Sequence, residues 1–376
     1  MRVGFGVTVL AKGLAGSGCD GIGHYTKELY EALRNNGGVD LLPYSYGCPL
    51  PTSALEASVS LLESYPRSLV SDGLSLSRQR WRCPPAGPVD LIHATDHLIP
   101  WVQGIPLVAT LMDAIPLSNP EWISPTARLK AKVWRMLARR ADHIITISEY
   151  SKLQIIEHFE IREEKISIIP LGVNPIFFET ITPESRQAVC RRYGINGKFF
   201  LNIGTLQPRK NVAGILKAMR LLPDEIRRSY QLIIVGKNGW KTEDLVTEIR
   251  RAESEGWCKW LGFIPDSDVR ALLQSAEAFV FPSLNEGFGL PILEAFASKI
   301  AVITSNTNAL CEVAGDAALC IDPKDIEQIA LAMTSLVESY PLRQALIEKG
   351  TFKAQQNSWR ETAKATLFVY ELPCWK

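Results

Sequence analysis

The chain has 376 residues, 46% of them hydrophobic, which is too long for one typical domain and suits two with ample core. Its 41 Lys and Arg balance 40 Asp and Glu to a net charge of +1, without the basic excess of a dedicated nucleic-acid binder. Eight scattered cysteines (Cys19, Cys48, Cys83, Cys190, Cys258, Cys311, Cys320 and Cys374) form no C-x-x-C pair, so they read as reduced cytosolic thiols rather than a disulfide framework or zinc site.

The opening run has no cationic stretch before its apolar residues and reads as a first strand over about residues 2–9, not as a cleavable leader. A glycine-rich loop over 13–23 follows, then a helix over 24–35 with Tyr25, Leu29 and Leu33 four apart on one face. Residues 39–42 read as the second strand. Residues 44–88 are irregular and rich in Pro, Ser and Gly, with a short helix near 54–64, a natural place for a substrate-specific insertion. Strands over 89–94, 106–111, 143–147 and 165–169 then alternate with helices over 126–140 and 149–159. Residues 170–175 have the turn chemistry of a linker. After it the pattern restarts with strands at 199–203, 231–235, 258–263, 278–283 and 300–303. Helices fall between them, from 211, over 241–255 and 266–276 and from 291, and two or three more close the chain. Two βα series split by a linker predict an α/β protein of two Rossmann-like, doubly wound parallel-sheet domains, 1–172 and 173–356, with a cleft between them. Ligands in such sheets bind at the carboxyl ends of strands. No apolar run approaches the roughly 18 residues of a spanning helix, so any membrane contact is peripheral.

Several motifs sit at those strand ends. Asn285-Glu286-Gly287-Phe288-Gly289-Leu290 leads from a strand into a helix that opens with Pro291. Free backbone N–H groups and the positive end of the helix dipole make this turn a seat for phosphate. Glu286 and Glu294 bracket it, as hydroxyl acceptors for a sugar or ribose or, more blandly, as solvated side chains of a surface junction. Gly204-Thr205-Leu206-Gln207-Pro208-Arg209-Lys210-Asn211 follows another strand; Arg209 offers bidentate contact and Lys210 a point charge to a diphosphate. Gly16-Ser17-Gly18-Cys19-Asp20-Gly21 is a literal G-x-G-x-x-G, but several residues separate it from the strand end. It reads as a loop lining the cleft rather than a nicotinamide or flavin site. Asp266-Ser267-Asp268 imitates a metal-binding D-x-D, yet its place before a helix makes these residues capping aspartates. The helix over 126–140 sets Arg128, Lys132, Arg135 and Arg139 beside Leu129, Val133 and Met136, a pattern shared by sheet-covering helices and helices that lie on anionic membranes.

Together, EGFGLPILE over residues 286–294 and GTLQPRKN over 204–211 resemble the retaining glycosyltransferases of family 4, which have the GT-B fold. DLIHAT, TISEYSK and PLGVNPIFF also look like landmarks of that family, and the similarity runs along essentially the whole chain. The resemblance implies that the C-terminal domain holds a nucleotide sugar. Arg209 and Lys210 would then clasp the diphosphate, Glu294 the ribose hydroxyls, and Glu286 with the amides of Gly287, Phe288, Gly289 and Leu290 the transferred sugar. It also places Gly204 and Thr205 on the donor, Phe263 and Ile264 beside the base, and Gly21 and Gly23 on the facing wall. A last helix, within 357–376, would cross back to the N-terminal domain.

The resemblance implies a cytoplasmic hexosyltransferase in polysaccharide biosynthesis that needs neither metal nor other cofactor, with peripheral contact at the inner face of the membrane as an option. Its donor would be GDP-mannose, slightly ahead of a UDP-hexose, and its acceptor a glycan or lipid-linked saccharide. The leaving phosphate would assist the acceptor, with preorganised donors placed where charge develops. One departure is Met112-Asp113 where many relatives carry His-Asp: a thioether moves no proton. Asp113 remains to orient the acceptor or sugar, and His97 is a further acceptor-side residue. A UDP-sugar epimerase of the same fold and a non-catalytic sugar-nucleotide binder are the alternatives.

Overall fold

A computed structural model describes residues 1–16, 21–55, 57, 59–68, 88–102 and 104–372. The chain divides into two compact units, Met1–Gly172 with Ser358–Lys376, and Val173–Asn357. Each is organised on a wholly parallel sheet.

In the first unit the strands are β1 (Arg2–Gly6), β2 (Asp40–Tyr46), β3 (Ser60–Leu62), β4 (Leu91–Ala94), β5 (Leu107–Thr110), β6 (His143–Thr146) and β7 (Ile166–Ile168), in the order β3-β2-β1-β4-β5-β6-β7. The short apolar runs of β4, β5 and β6 are buried at every position, as parallel strands covered on both faces require. Ile92, Ala109, Ile144, Ile155 and Phe159 join one core between sheet and helices. The helix Trp359–Tyr370 belongs to this unit: Thr362 Oγ1 donates to the Pro170 carbonyl at 2.8 Å, and Trp359 meets Tyr25 with ring centroids 6.1 Å apart. Gly172 has no room for a Cβ, because the backbone of Trp359 fills that space.

The second unit holds β8 (Lys198–Ile203), β9 (Tyr230–Val235), β10 (Cys258–Trp260), β11 (Ala278–Phe281), β12 (Ala301–Ser305) and β13 (Leu319–Ile321), in the order β10-β9-β8-β11-β12-β13. This is the doubly wound order, reversing direction between β8 and β11, the place where such sheets bind ligands. Phe200, Leu232, Ile234, Val280 and Ile303 line its core with Ile215, Met219 and Met333 from the covering helices.

Several sequence expectations need correction. The first strand stops at Gly6, and Thr8–Ala15 is a helix: Ala11 N–H bonds the Val7 carbonyl at 2.9 Å, and Leu10 and Ala11 turn inward. Gly21 and Gly23 lie in the first turn of the helix Gly21–Asn36, not in a loop. Residues 17–20 of the G-x-G-x-x-G lie outside the described residues. Within 44–88, Tyr44–Tyr46 extends β2, and the helix expected near 54–64 gives way to the four-residue helix Thr52–Leu55 and the strand β3. β3 owes its form to pairing with β2, Tyr44 opposite Ser60, which local periodicity does not reveal. Residues 69–87 lie outside the described residues. The aspartates of Asp266-Ser267-Asp268 are not caps. Pro265 holds the cap position of Asp266–Leu273, and buried Asp268 instead accepts from Arg192 Nη1 at 2.8 Å and Tyr193 Oη at 2.6 Å.

Candidate active site

The basic turn leaves the end of β8 along a backbone ladder that outlasts the strands. Gly204 N–H donates to Val235 O at 2.9 Å, Leu206 N–H to Lys237 O at 2.9 Å, and Gly236 N–H to Gly262 O at 2.8 Å. Gly204 and Gly236 take φ of +153° and +144°, which other residues rarely adopt. A Cβ on Gly236 would strike the Gly204 carbonyl, and one on Gly239 the Leu206 carbonyl. The two loops can pack this closely only through glycine. Pro208–Lys210 is then a single 3-10 turn, ended by Asn211 in the left-handed region, whose Nδ2 donates to the Pro323 carbonyl at 2.6 Å. Arg209 and Lys210 are thereby fixed at the carboxyl end of the sheet.

The acidic turn leaves β11 beside it. Leu284 N–H donates to Arg209 O at 2.7 Å, Ser305 Oγ to Ser283 O at 2.6 Å, and Asn308 Nδ2 to Leu284 O at 3.3 Å. Gly289 caps the helix Leu290–Ala297 with φ +122°, a backbone conformation that other residues rarely adopt. Pro291 sits in the first turn. Phe288 is buried, and Glu294 is half-buried one turn into the helix.

The two turns meet at Glu286. Its carboxylate lies 2.6 Å from Arg209 Nη1 through Oε2 and 2.6 Å from Lys210 Nζ through Oε1. Arg209 is also held by Gln207 Oε1 at 3.0 Å from Nε and by the Asn285 carbonyl at 3.2 Å from Nη1. Lys210 Nζ stands 4.7 Å from the centre of the Phe281 ring. Burial is the largest single influence on the Glu286 carboxyl and pushes its pKa up, but Lys210 and then Arg209, by charge and hydrogen bond, bring the net value below the ordinary carboxylate range. The result is a half-enclosed cluster in which one carboxylate is held between two cations.

Of the residues singled out in the sequence, the structure joins Arg209, Lys210 and Glu286 directly, with Gly204, Thr205 and Gly287–Leu290 in the turns that carry them. Beyond β10, Ile264 is turned into the interior while Phe263 is exposed, with Lys237 Nζ 4.9 Å from its ring centre. Asp113, Met112, His97, Gly21 and Gly23 belong to the first unit. There Met112 and Asp113 follow β5: the Met112 carbonyl accepts from Ser151 Oγ at 2.9 Å, and Asp113 Oδ1 from Ile115 N–H at 3.0 Å. His97 follows the neighbouring β4, with its ring 6.3 Å from that of Trp134. Sequence reasoning assigned no role to Gln207, Phe281, Gly236 and Gly239. Gln207 lies inside the basic motif and Phe281 just before the acidic one, so both could have been suspected; the glycines act through a close approach that only the fold creates.

Two doubly wound sheets, one carrying a paired-cation turn beside a helix N-terminus, have the fold and the turn chemistry that suit an anionic ligand. Residues 191–352 match the family model described as glycosyl transferases group 1, and residues 19–177 match that of glycosyltransferase family 4. The chain belongs to the group 1 glycosyltransferases. O-antigen chain mannosyltransferase B of Escherichia coli is 36% identical over 233 residues, 62% of this chain and 61% of that protein. The serotype-specific mannosyltransferase WbdA of Escherichia coli is 30% identical over 272 residues, 70% of this chain and 33% of WbdA. The chain thus spans about three-fifths and one-third of the length of these curated relatives. Among solved structures, Anabaena HepE in complex with UDP and glucose superposes with a TM-score of 0.75 at 18% identity, over 98% of this chain and 99% of that one. That likeness shows the fold, the GT-B pair of Rossmann-like domains.

Proposed function

We propose that the protein is a retaining hexosyltransferase that moves mannose from a nucleoside diphosphate sugar to a glycan or lipid-linked saccharide acceptor in polysaccharide biosynthesis. The observation that carries this reading is the Glu286 carboxylate held between Arg209 and Lys210, 2.6 Å from each, beside a helix N-terminus. A donor diphosphate competes with Glu286 for the same two cations. Arg209 grips it through its planar fork and Lys210 neutralises it as a point charge. Charge that develops on the diphosphate as the glycosidic bond breaks meets donors already in place. Glu286, displaced from the cations, turns to a hydroxyl of the transferred sugar, with the amides of Gly287–Leu290 around it; Glu294 takes the ribose hydroxyls, and Phe263 borders the base. On the acceptor side, Asp113 orients a hydroxyl group and no histidine base is supplied at Met112. Arg209, Lys210 and the helix dipole provide the positive field, so the scheme calls on no metal.

GDP-mannose is the favoured donor over a UDP-hexose, because several of the relatives that the chain resembles in sequence are mannosyltransferases. A lipid-linked acceptor would bring the protein to the inner face of the membrane. Among the described residues no helix is long and apolar enough to cross a membrane. Incubation with radiolabelled GDP-mannose and UDP-hexoses tests the reading. Transfer or slow donor hydrolysis is expected. Release of an isomerised sugar, or tight binding without turnover, would replace it with an epimerase or a binding protein.

A further inference from the structure

We propose that an arginine-lined cup at the amino ends of β8 and β9 is a binding site for a small molecule that carries linked phosphates. Three helices end there: Val212–Leu221, Asp224–Ser229 and Glu243–Ser254. Arg220 lies in the last turn of the first, Arg227 and Arg228 in that of the second, and Arg251 in that of the third. A cation is favoured at the negative end of a helix dipole, which accounts for arginine at each helix taken singly. It does not account for their convergence on one cavity of about 630 Å³, with Gln231 and Trp257 in its wall. That volume falls within the range of small-molecule sites and far exceeds one phosphate group. The cup is not the candidate active site. Val212–Leu221 starts just after Lys210 and carries the chain about 15 Å away to Arg220, at the opposite end of the sheet.

The acidic residues around the cup are too few to neutralise it. Glu255 is the one carboxylate in the wall among the described residues. It is shared, with Oε1 accepting from Arg251 Nε at 3.1 Å and Oε2 from Trp257 Nε1 at 2.7 Å. Asp224, outside the wall, serves both Arg227 and Arg228. Arg220 lies over the Trp257 ring, 5.7 Å from its centre, and forms no ion pair among the described residues. Four guanidinium groups therefore share two carboxylates. Exposed pairs of this kind are weak, so phosphate oxygens can replace the carboxylates and gain bidentate contacts. The wall is also one hydrogen bond short. Gln231 Nε2 donates to the Gly256 carbonyl at 3.1 Å, while its enclosed Oε1 has no partner among the described residues. An unpaired buried acceptor marks a place that a donor from outside the chain completes, such as a hydroxyl or an acid phosphate proton. An extended polyanion such as RNA would need basic surface beyond the cup. There the same helices expose Glu225, Glu243, Asp244 and Glu248. The inference does not depend on the transferase reading.

Calorimetric titration of inorganic tripolyphosphate and of ATP into the full chain tests it. Arg220→Gln with Arg251→Gln should weaken tripolyphosphate binding about tenfold or more, and Arg227→Gln with Arg228→Gln should do the same. Lys210→Ala removes a cation of the basic turn and should leave this binding in place, which separates the two sites. Arg250→Gln should bind as the parent does, because Arg250 is next in sequence to Arg251 but is held by Glu253 at 2.7 Å. Tighter binding of ATP than of tripolyphosphate would assign the cup to a nucleotide with its base against Trp257. Equal binding would assign it to the phosphate chain alone. A thermal melt establishes that each variant is folded. No binding of tripolyphosphate at millimolar concentration, undiminished binding in both double variants, loss in Lys210→Ala alone, or binding of single-stranded RNA but not of tripolyphosphate would overturn the proposal.

Discussion

Lys210 Nζ and Glu286 Oε1 lie 2.6 Å apart, each side chain only 12% exposed, and Arg209 approaches the other carboxylate oxygen at the same distance. In ion pairs this short and this enclosed, removing one partner leaves buried charge uncompensated. The cluster therefore couples the placement of three side chains from two strand ends.

Replacing Arg209 or Lys210 by Ala should remove about 2–4 kcal/mol of transition-state stabilisation, the usual loss for one preorganised donor. Steady-state kinetics with the preferred donor measure it, and near-normal kcat in both variants would contradict the assigned role.

Glu294→Ala should raise the donor KM strongly and leave the fold intact, since this side chain is half-buried in a helix held by Ile292, Leu293 and Phe296. Calorimetry that finds unchanged donor affinity would sink its place on the ribose.

Gly236→Ala and Gly239→Ala should each cost about 2 kcal/mol or more of stability, because the new methyl meets backbone carbonyls rather than yielding side chains. The basic turn must shift to relieve the clash, so donor affinity should fall as well. A variant with the parent's melting temperature and affinity would show that the loops are free to move apart.

His93 gives a pH test of the first unit. It is buried between Tyr370 Oη, 2.6 Å from Nδ1, and Thr110 Oγ1, 2.8 Å from Nε2, and burial pushes its pKa down to about 3. A folded-state value below the unfolded one of about 6.5 means that the contribution is fully present above pH ~6.5. It is lost as the pH falls toward 3, at about 1.4 kcal/mol per pH unit. Denaturant melts across that range should show this slope, and His93→Gln should flatten it.

The two sheets were legible in the sequence because buried parallel strands such as Leu107–Thr110 and Ala278–Phe281 are short apolar runs with turns at both ends. The site was legible where residues close in sequence act together, as in Arg209 with Lys210 and Glu286 to Leu290. What the sequence hid depends on distant partners. Ser60–Leu62 becomes a strand only beside Tyr44–Tyr46, and Asp268, expected as a cap, is buried against Arg192 and Tyr193. The pairing of Glu286 with both cations was likewise invisible, since 76 residues separate Arg209 from Asn285, whose carbonyl helps hold it.

The most direct measurement is calorimetric titration of GDP and GMP into the parent protein and Lys210→Ala. If Arg209 and Lys210 hold the diphosphate, GDP binds far more tightly than GMP, and the variant loses most of that difference while its GMP affinity holds. Equal affinity for GDP and GMP in the parent, or an undiminished preference for GDP in Lys210→Ala, would contradict the account.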